Sequence, residues 1–176
     1  MQFSQRVVQN AYFVDDLDDA IERWHRLWGI GPFFVRRHLV LPKVTYYGAP
    51  ARLDISAAYV QAGPIQIELV TQHGNDPSAF REVFRKGEGG FHHVGMMTES
   101  YDATLSQYER AGFPVVTELR TAAGRGAAYI DTRPMLGHML EVYRPSESLA
   151  RLYREVAEAS ANWDGRELQI EVDPTA

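Results

Sequence analysis

The chain has no cysteine, so disulfides and thiolate metal sites are excluded. Any bound metal would have to sit on histidine, carboxylate, amide or water. No run of Lys or Arg appears and the formal net charge is −5, so nucleic acid is not an expected partner. No apolar run approaches the ~20 residues that a membrane helix needs. The opening Met1-Gln2-Phe3-Ser4-Gln5-Arg6 lacks the apolar core of a signal peptide. A cytoplasmic protein without membrane contact is therefore expected. What is present is 45% hydrophobic content over 176 residues. That suffices for one well-buried domain or two small fused modules.

A duplication organises the chain. The first half opens with the β-branched and aromatic stretch 7–14, and Asp15-Asp16 then cap a helix carrying Leu17, Ile21, Trp24, Leu27 and Trp28 at helical spacing. Strands are expected at 33–40, 53–61 and 65–71, with 41–52 as loop. The second half opens with a strand at 91–97 and a helix at about 100–111. Strands follow at about 114–120, 126–132 and 137–143. The third strands match closely: Ala57-Ala58-Tyr59-Val60-Gln61 corresponds to Ala127-Ala128-Tyr129-Ile130-Asp131. The division is a first βαβββ module over 1–72, a linker with a short helix over 73–90 and a second module over 91–144. A terminal helix and tail occupy 145–176, with Leu149, Leu152, Tyr153, Val156 and Ala157 as the helical stripe. Gln169-Ile170-Glu171-Val172 reads as a short strand or an ordered tail.

Strand parity decides where polar residues point, because successive side chains face opposite ways. In 65–71, Ile65, Ile67 and Leu69 share the helix-facing side, and Gln66, Glu68 and Val70 share the other. Glu141 shares its face with Met139 and Tyr143. Gln9 travels with Val7, Ala11 and Phe13, and His93 with Phe91, Gly95 and Met97. His92 falls by the same parity in the helix-side core. Gln9, Glu68, His93 and Glu141 thus recur at the first and last strands of the two modules. They are the candidate ligands of one metal ion, and Ala11 and Gly95 leave room beside them.

At these residues the chain resembles the vicinal oxygen chelate superfamily, which includes glyoxalase I, methylmalonyl-CoA epimerase, extradiol dioxygenases and antibiotic-resistance proteins. The resemblance covers about 7–144. Lys86-Gly87-Glu88-Gly89-Gly90-Phe91-His92-His93-Val94-Gly95, the linker helix before it and Gly137-His138-Met139-Leu140-Glu141 look most like the epimerase branch. The Gln/Glu/His/Glu set resembles the zinc-type glyoxalase I pattern instead, since epimerases usually carry His where Gln9 stands. The glutamate that epimerases carry before the third strand has no counterpart in Ala51-Arg52-Leu53-Asp54, where Asp54 is a loose stand-in.

The resemblance implies an α+β fold, with two tandem βαβββ modules forming an open, cup-shaped mixed sheet. The helices lie outside, and a C-terminal helix is added. It implies one divalent ion (Zn, Co, Ni, Mn or Mg) and a homodimer. The expected activity is that of a lyase or an isomerase, epimerases included, acting through an enolate on a small carbonyl compound. Glu141 is the first candidate for the base and Glu68 its partner. Phe13, Tyr59, Met97, Tyr129 and Met139 are expected to wall the substrate, and Arg125 to close over it. Arg36, Arg37, His38, Lys43 and Arg120 are further candidates for holding an anionic group, although surface charge is the ordinary role for any one of them. The alternative is a metal-free small-molecule binding or resistance protein of the same fold.

Overall fold

Each half of the chain builds a strand, a helix and then further strands of one sheet, five in the first half and three in the second. The structure, a computed structural model, describes residues 5–122, 124–173 and 175. Met1 to Ser4 of the opening segment read above lie outside the described residues. The first half contains β1 (Arg6–Phe13), α1 (Leu17–Trp28), β2 (Phe33–Arg36), β3 (Lys43–Tyr46), β4 (Ala49–Pro50), β5 (Ile55–Ala62) and β6 (Ile65–Gln72). After the short α2 (Ala79–Val83), the second half contains β7 (Gly90–Met97), α3 (Tyr101–Arg110), β8 (Val115–Arg120), β9 (Gly126–Ile130), α4 (Arg133–Leu136) and β10 (Met139–Arg144). The chain ends in α5 (Glu147–Ala161) and β11 (Gln169–Glu171).

The strand order is β11-β2-β5-β6-β1-β7-β10-β9-β8-β3-β4. The two modules meet where β1 and β7 run antiparallel at the centre. Within each module the first and last strands are parallel neighbours, β1 with β6 and β7 with β10. This topology brings all four candidate ligands onto four adjacent central strands. The end strands β11 and β4 do not pair, so the curved sheet stays open.

The outer face is covered by α1 and α3. Asp16 caps α1 by accepting from the Asp19 N–H at 3.0 Å, and Gly29 ends it at φ 66° in the left-handed region. Such a cap contributes about 1 kcal/mol. Leu17, Ala20 and Ile21 of α1 pack on Phe33, Val35, Ala58, Val60, Ile67 and Leu69. Leu27 and Trp28 keep the same spacing but are exposed. The concave face has its own core, in which Tyr59, Val70, Tyr129, Met139 and Tyr143 meet Leu149, Leu152 and Val156 of α5. The terminal helix therefore lies over the cup. Trp163 then packs on Gly31, where a Cβ would lie 2.6 Å from its ring. This docking sets the tail beside β2, where β11 forms as a parallel edge strand.

Four expectations change. The segment 41–52 is not all loop: β3 pairs with β8 and β4 with β3. Its pairing partner belongs to the other module, so no local pattern announces it, and Pro50 is tolerated because β4 is an edge. The strand expected at 33–40 ends at Arg36, and His38 turns the chain at φ 50°. The expected strands 126–132 and 137–143 are trimmed around α4, which Gly137 closes at φ 77°.

The fourth change is to parity. Two β-bulges interrupt the β1–β7 ladder. Val7 pairs with Met96 and Gln9 with Gly95, leaving Val8 as the extra residue. Ala11 pairs with His93 and Tyr12 with Phe91, leaving His92 extra. Val7 is therefore exposed and Val8 joins the concave core. Phe91 sits against Tyr12 on the outer side, and His92 turns inward with His93. The readings that His93 travels with Phe91, Gln9 with Val7, and His92 with the helix-side core are all corrected by these bulges.

No helix among the described residues is long and apolar enough to cross a membrane.

Candidate metal centre

Glu68, His93 and Glu141 converge. His93 Nε2 lies 3.3 Å from Glu68 Oε2 and 2.9 Å from Glu141 Oε2, and all three side chains are buried. The contacts are close, yet none has hydrogen-bond alignment: each of the three atoms lacks a hydrogen-bond partner. Buried polar atoms are rarely left so, because each orphan costs about 1–3 kcal/mol. The three atoms lie within 4.8 Å of one another. One imidazole nitrogen and two carboxylate oxygens suit a divalent cation of the Zn, Co, Ni, Mn or Mg group. The residues present therefore fit a metal.

Gln9 borders the same cavity as Glu68 and Glu141. Its amide is oriented by two partners: Nε2 donates to Gln66 Oε1 at 2.8 Å, and the Tyr143 hydroxyl donates to Gln9 Oε1. A carbonyl-type oxygen has two lone pairs, so Oε1 keeps one for a cation. Gly95 stands opposite both Gln9 and Glu141 in the sheet. A Cβ there would come within 2.9 Å of Gln9 Cβ and 3.0 Å of the Tyr143 ring, so only glycine leaves the Gln9 side chain its place.

His92 fixes how His93 presents itself. Its Nε2 lies 3.0 Å from the Ala79 carbonyl, which can only accept. Nε2 must therefore carry the proton. Burial first, and then the His93 charge, hold His92 well below the usual imidazole range, so it is neutral and its Nδ1 accepts. His93 Nδ1, 2.8 Å away, must donate to it. The network thus assigns the His93 tautomer that leaves Nε2 free as a ligand. The Ala79 carbonyl is itself fixed by α2, where Ser78 caps the helix and Ala79 N–H donates to Thr117 Oγ1. The bulge is what brings His92 inward for this task.

Charge follows from the geometry. Burial alone pushes His93 down, but Glu141 and Glu68 outweigh it and carry its pKa to about 9 in the metal-free chain. Burial raises Glu68, and the Glu141 charge adds to this. Tyr59 stands opposite Glu68 and Tyr129 opposite Glu141, the same place in each module. Burial and the neighbouring carboxylates push both phenols up, so they remain O–H donors.

The cavity takes in Tyr59, Tyr129 and Arg125 of the expected wall. Phe13, Met97 and Met139 do not line it. Phe13 stacks on Phe80 and Phe84, Met139 is fully buried in the concave core, and Met97 borders an outer groove. Asp54 pairs with His38 at 2.8 Å on the surface, away from the cavity. Arg37 is held by Asp18 and Glu171, Lys43 is exposed, and Arg120 lies outside the lining. Arg36, one of the candidates for holding an anionic group, lines the cavity, and Gln66, Tyr143 and Tyr153 line it without having been assigned a role from sequence. Parity alone places Gln66 and Tyr143 on the correct face, so their signal was present.

A family model described as Glyoxalase/Bleomycin resistance protein/Dioxygenase superfamily matches residues 8–129. The chain belongs to this superfamily. Its α5 and β11 fall outside the matched residues. The superfamily fold also recurs in solved structures. A hypothetical protein of Bacillus halodurans superposes with a TM-score of 0.57 at 16% identity, covering 82% of this chain and 96% of that one. Methylmalonyl-CoA epimerase of Mycobacterium tuberculosis gives 0.53 at 19%, covering 82% and 91%. A Streptomyces coelicolor methylmalonyl-CoA epimerase variant in complex with 2-nitronate-propionyl-CoA gives 0.51 at 16%, covering 81% and 95%. At these identities the likeness is one of fold. A search of curated proteins gives no match.

Proposed function

We propose that this superfamily member is a divalent-metal-dependent lyase or isomerase that works through an enolate of a small carbonyl compound. The observation that carries this reading is the set of three buried ligand atoms, Glu68 Oε2, His93 Nε2 and Glu141 Oε2, that face one another without hydrogen-bond partners. Gln9, Glu68, His93 and Glu141 would hold the ion. When bound, the ion supplies Lewis acidity to a substrate carbonyl and so acidifies the adjacent C–H. Glu141 takes that proton onto its carboxylate, and Tyr129 across the ladder keeps the carboxylate oriented. Glu68, steadied by Tyr59, stands as the second carboxylate. Return of the proton by Glu141 gives exchange at carbon, and delivery by Glu68 to the other face gives epimerisation or a proton shift.

The test is exchange of the substrate α-proton with deuterated water, run on 2-oxo acids, hemithioacetals and acyl-CoA thioesters. Glu141→Gln is expected to slow exchange by about 10²-fold, the usual loss when a general base is removed. Its amide oxygen can still face the metal, so part of the metal binding should survive. If Glu141→Gln keeps most of the exchange and Glu68→Gln loses it, the two carboxylates trade roles.

A second reading, metal-free binding of a small molecule, is favoured by one observation: His93, protonated up to about pH 9, can balance one of the two buried acids without an ion. Absence of exchange on every substrate, with tight aromatic-ligand binding in chelator-treated protein, would select it.

We also propose a homodimer. Leu27 and Trp28 on α1 and the neighbouring Phe91 are exposed, and Tyr12, Trp24, Trp28 and Phe91 form a chain of ring contacts on that side. A second chain covering this strip would bury it. Sedimentation should give twice the chain mass, and a fully active monomer would count against the proposal.

A further inference from the structure

Arg36 is buried to 4% exposure, yet among the described residues its side chain makes no hydrogen bond and no ion pair, and its Nε has no partner. Its position explains its direction. On β2, Phe33 and Val35 face α1, while Phe34 belongs to the concave core, and Arg36 shares parity with Phe34. The guanidinium therefore enters the cavity that holds Gln9, Glu68 and Glu141. Arg125 enters the same cavity from the start of β9 and is likewise buried. The two are near enough that burial first, and then the Arg36 charge, bring Arg125 down to about 10. The roof is α5, whose Leu149, Leu152 and Tyr153 complete the lining. The innermost space is about 60 Å³ and the cavity is partly open to solvent, so its inner end suits the head of a small molecule.

The exposed Asp173 carboxylate feels the Arg36 charge without pairing with it, and a buried guanidinium with no hydrogen-bonded partner is costly and favours an anion upon it. With a divalent ion held by Glu68 and Glu141, the acids of this cavity would be spent on that ion, and neither pairs with Arg36. A planar guanidinium fits a carboxylate through two parallel N–H bonds.

We propose that the substrate is a short-chain oxo acid, its carboxylate held by Arg36 and Arg125 beneath α5 and its carbonyl end directed at Glu68, His93 and Glu141. This rests on the enolate reading for the carbonyl end only; the anion subsite stands on Arg36 and the cavity.

Calorimetric titration of zinc-loaded protein with levulinate and with methyl levulinate separates the two. The wild type should bind the acid at least tenfold more tightly than the ester. Arg36→Met should lose about 10–100-fold for levulinate, the loss expected for a charge-assisted bidentate pair, and bind methyl levulinate as before. Arg36→Lys should recover part of the loss. Arg36→Met should also unfold at the same or higher denaturant concentration than wild type in the absence of ligand, because it removes an unpaired buried charge. Equal levulinate binding by wild type and Arg36→Met, or no preference for acid over ester, overturns the proposal. If the acid binds in an Arg36-dependent way and no α-proton exchanges, the subsite stands and the enolate reading falls.

Discussion

His93→Ala should bind zinc far more weakly than the wild type, by more than the roughly 10–100-fold that loss of a ligand's supporting partner costs. His93 supplies the only nitrogen among the four proposed ligands. Its removal leaves Glu68 and Glu141 facing each other with the intervening imidazole gone, so the acids repel and one is driven to take a proton. Competition against a chromophoric chelator measures the affinity directly. His92→Phe is the companion experiment. It leaves the His93 Nδ1 proton without its acceptor and frees the ring to rotate or change tautomer, and it should fall within the 10–100-fold range. Zinc affinity within threefold of wild type in His93→Ala would move the centre elsewhere. An unchanged His92→Phe protein would mean that His93 is held by packing alone.

The metal-free and metal-loaded proteins should respond to pH in opposite directions. In the metal-free chain His93 titrates near 9, above its usual value of about 6.5, and Glu68 is also raised. The native state then binds more protons than the unfolded chain between those values. The resulting stability is fully present below about pH 6.5 and is lost as pH rises through about 9, an effect of at most about 3 kcal/mol. A metal ion needs the same nitrogen deprotonated. Its apparent affinity should climb about tenfold per pH unit across that window, roughly a hundredfold between pH 7 and pH 9. Denaturant unfolding of chelated and zinc-loaded protein at a series of pH values tests both halves. Metal-free stability that rises from pH 7 to pH 9 would show that His93 is not held by the two acids.

The convergence of the proposed ligands was legible in the sequence because it needs only two things: a duplicated module and an alternation of faces. Glu68 and Glu141 sit in uninterrupted strands, where Ile65, Ile67 and Leu69 mark the opposite side, and there parity works. It failed at Val7, Phe91 and His92 because a bulge adds one residue to one strand and leaves no mark in composition. The β3–β4 hairpin was hidden for another reason. Its stability comes from β8, more than seventy residues further along, and propensity is a local signal. Arg36 was within reach: Phe33 and Val35 beside it are apolar, so alternation sends it inward. An inward arginine reads as an ordinary surface charge until the cavity is seen.

The two bulges occupy equivalent places, Val8 immediately before Gln9 and His92 immediately before His93. At each proposed ligand, the facing of the side chain is therefore set by counting as much as by chemistry. Substitution of Val8 by another apolar residue should leave Gln9 aimed inward. Deletion of Val8 or of His92 removes the offset between β1 and β7, and the strands must then either slip or present the ligand to the wrong side. Across the duplication, the chain can drift widely in residue identity on these strands but has no freedom in their length, so insertions and deletions in descendants of this gene should cluster in the loops and spare these two positions.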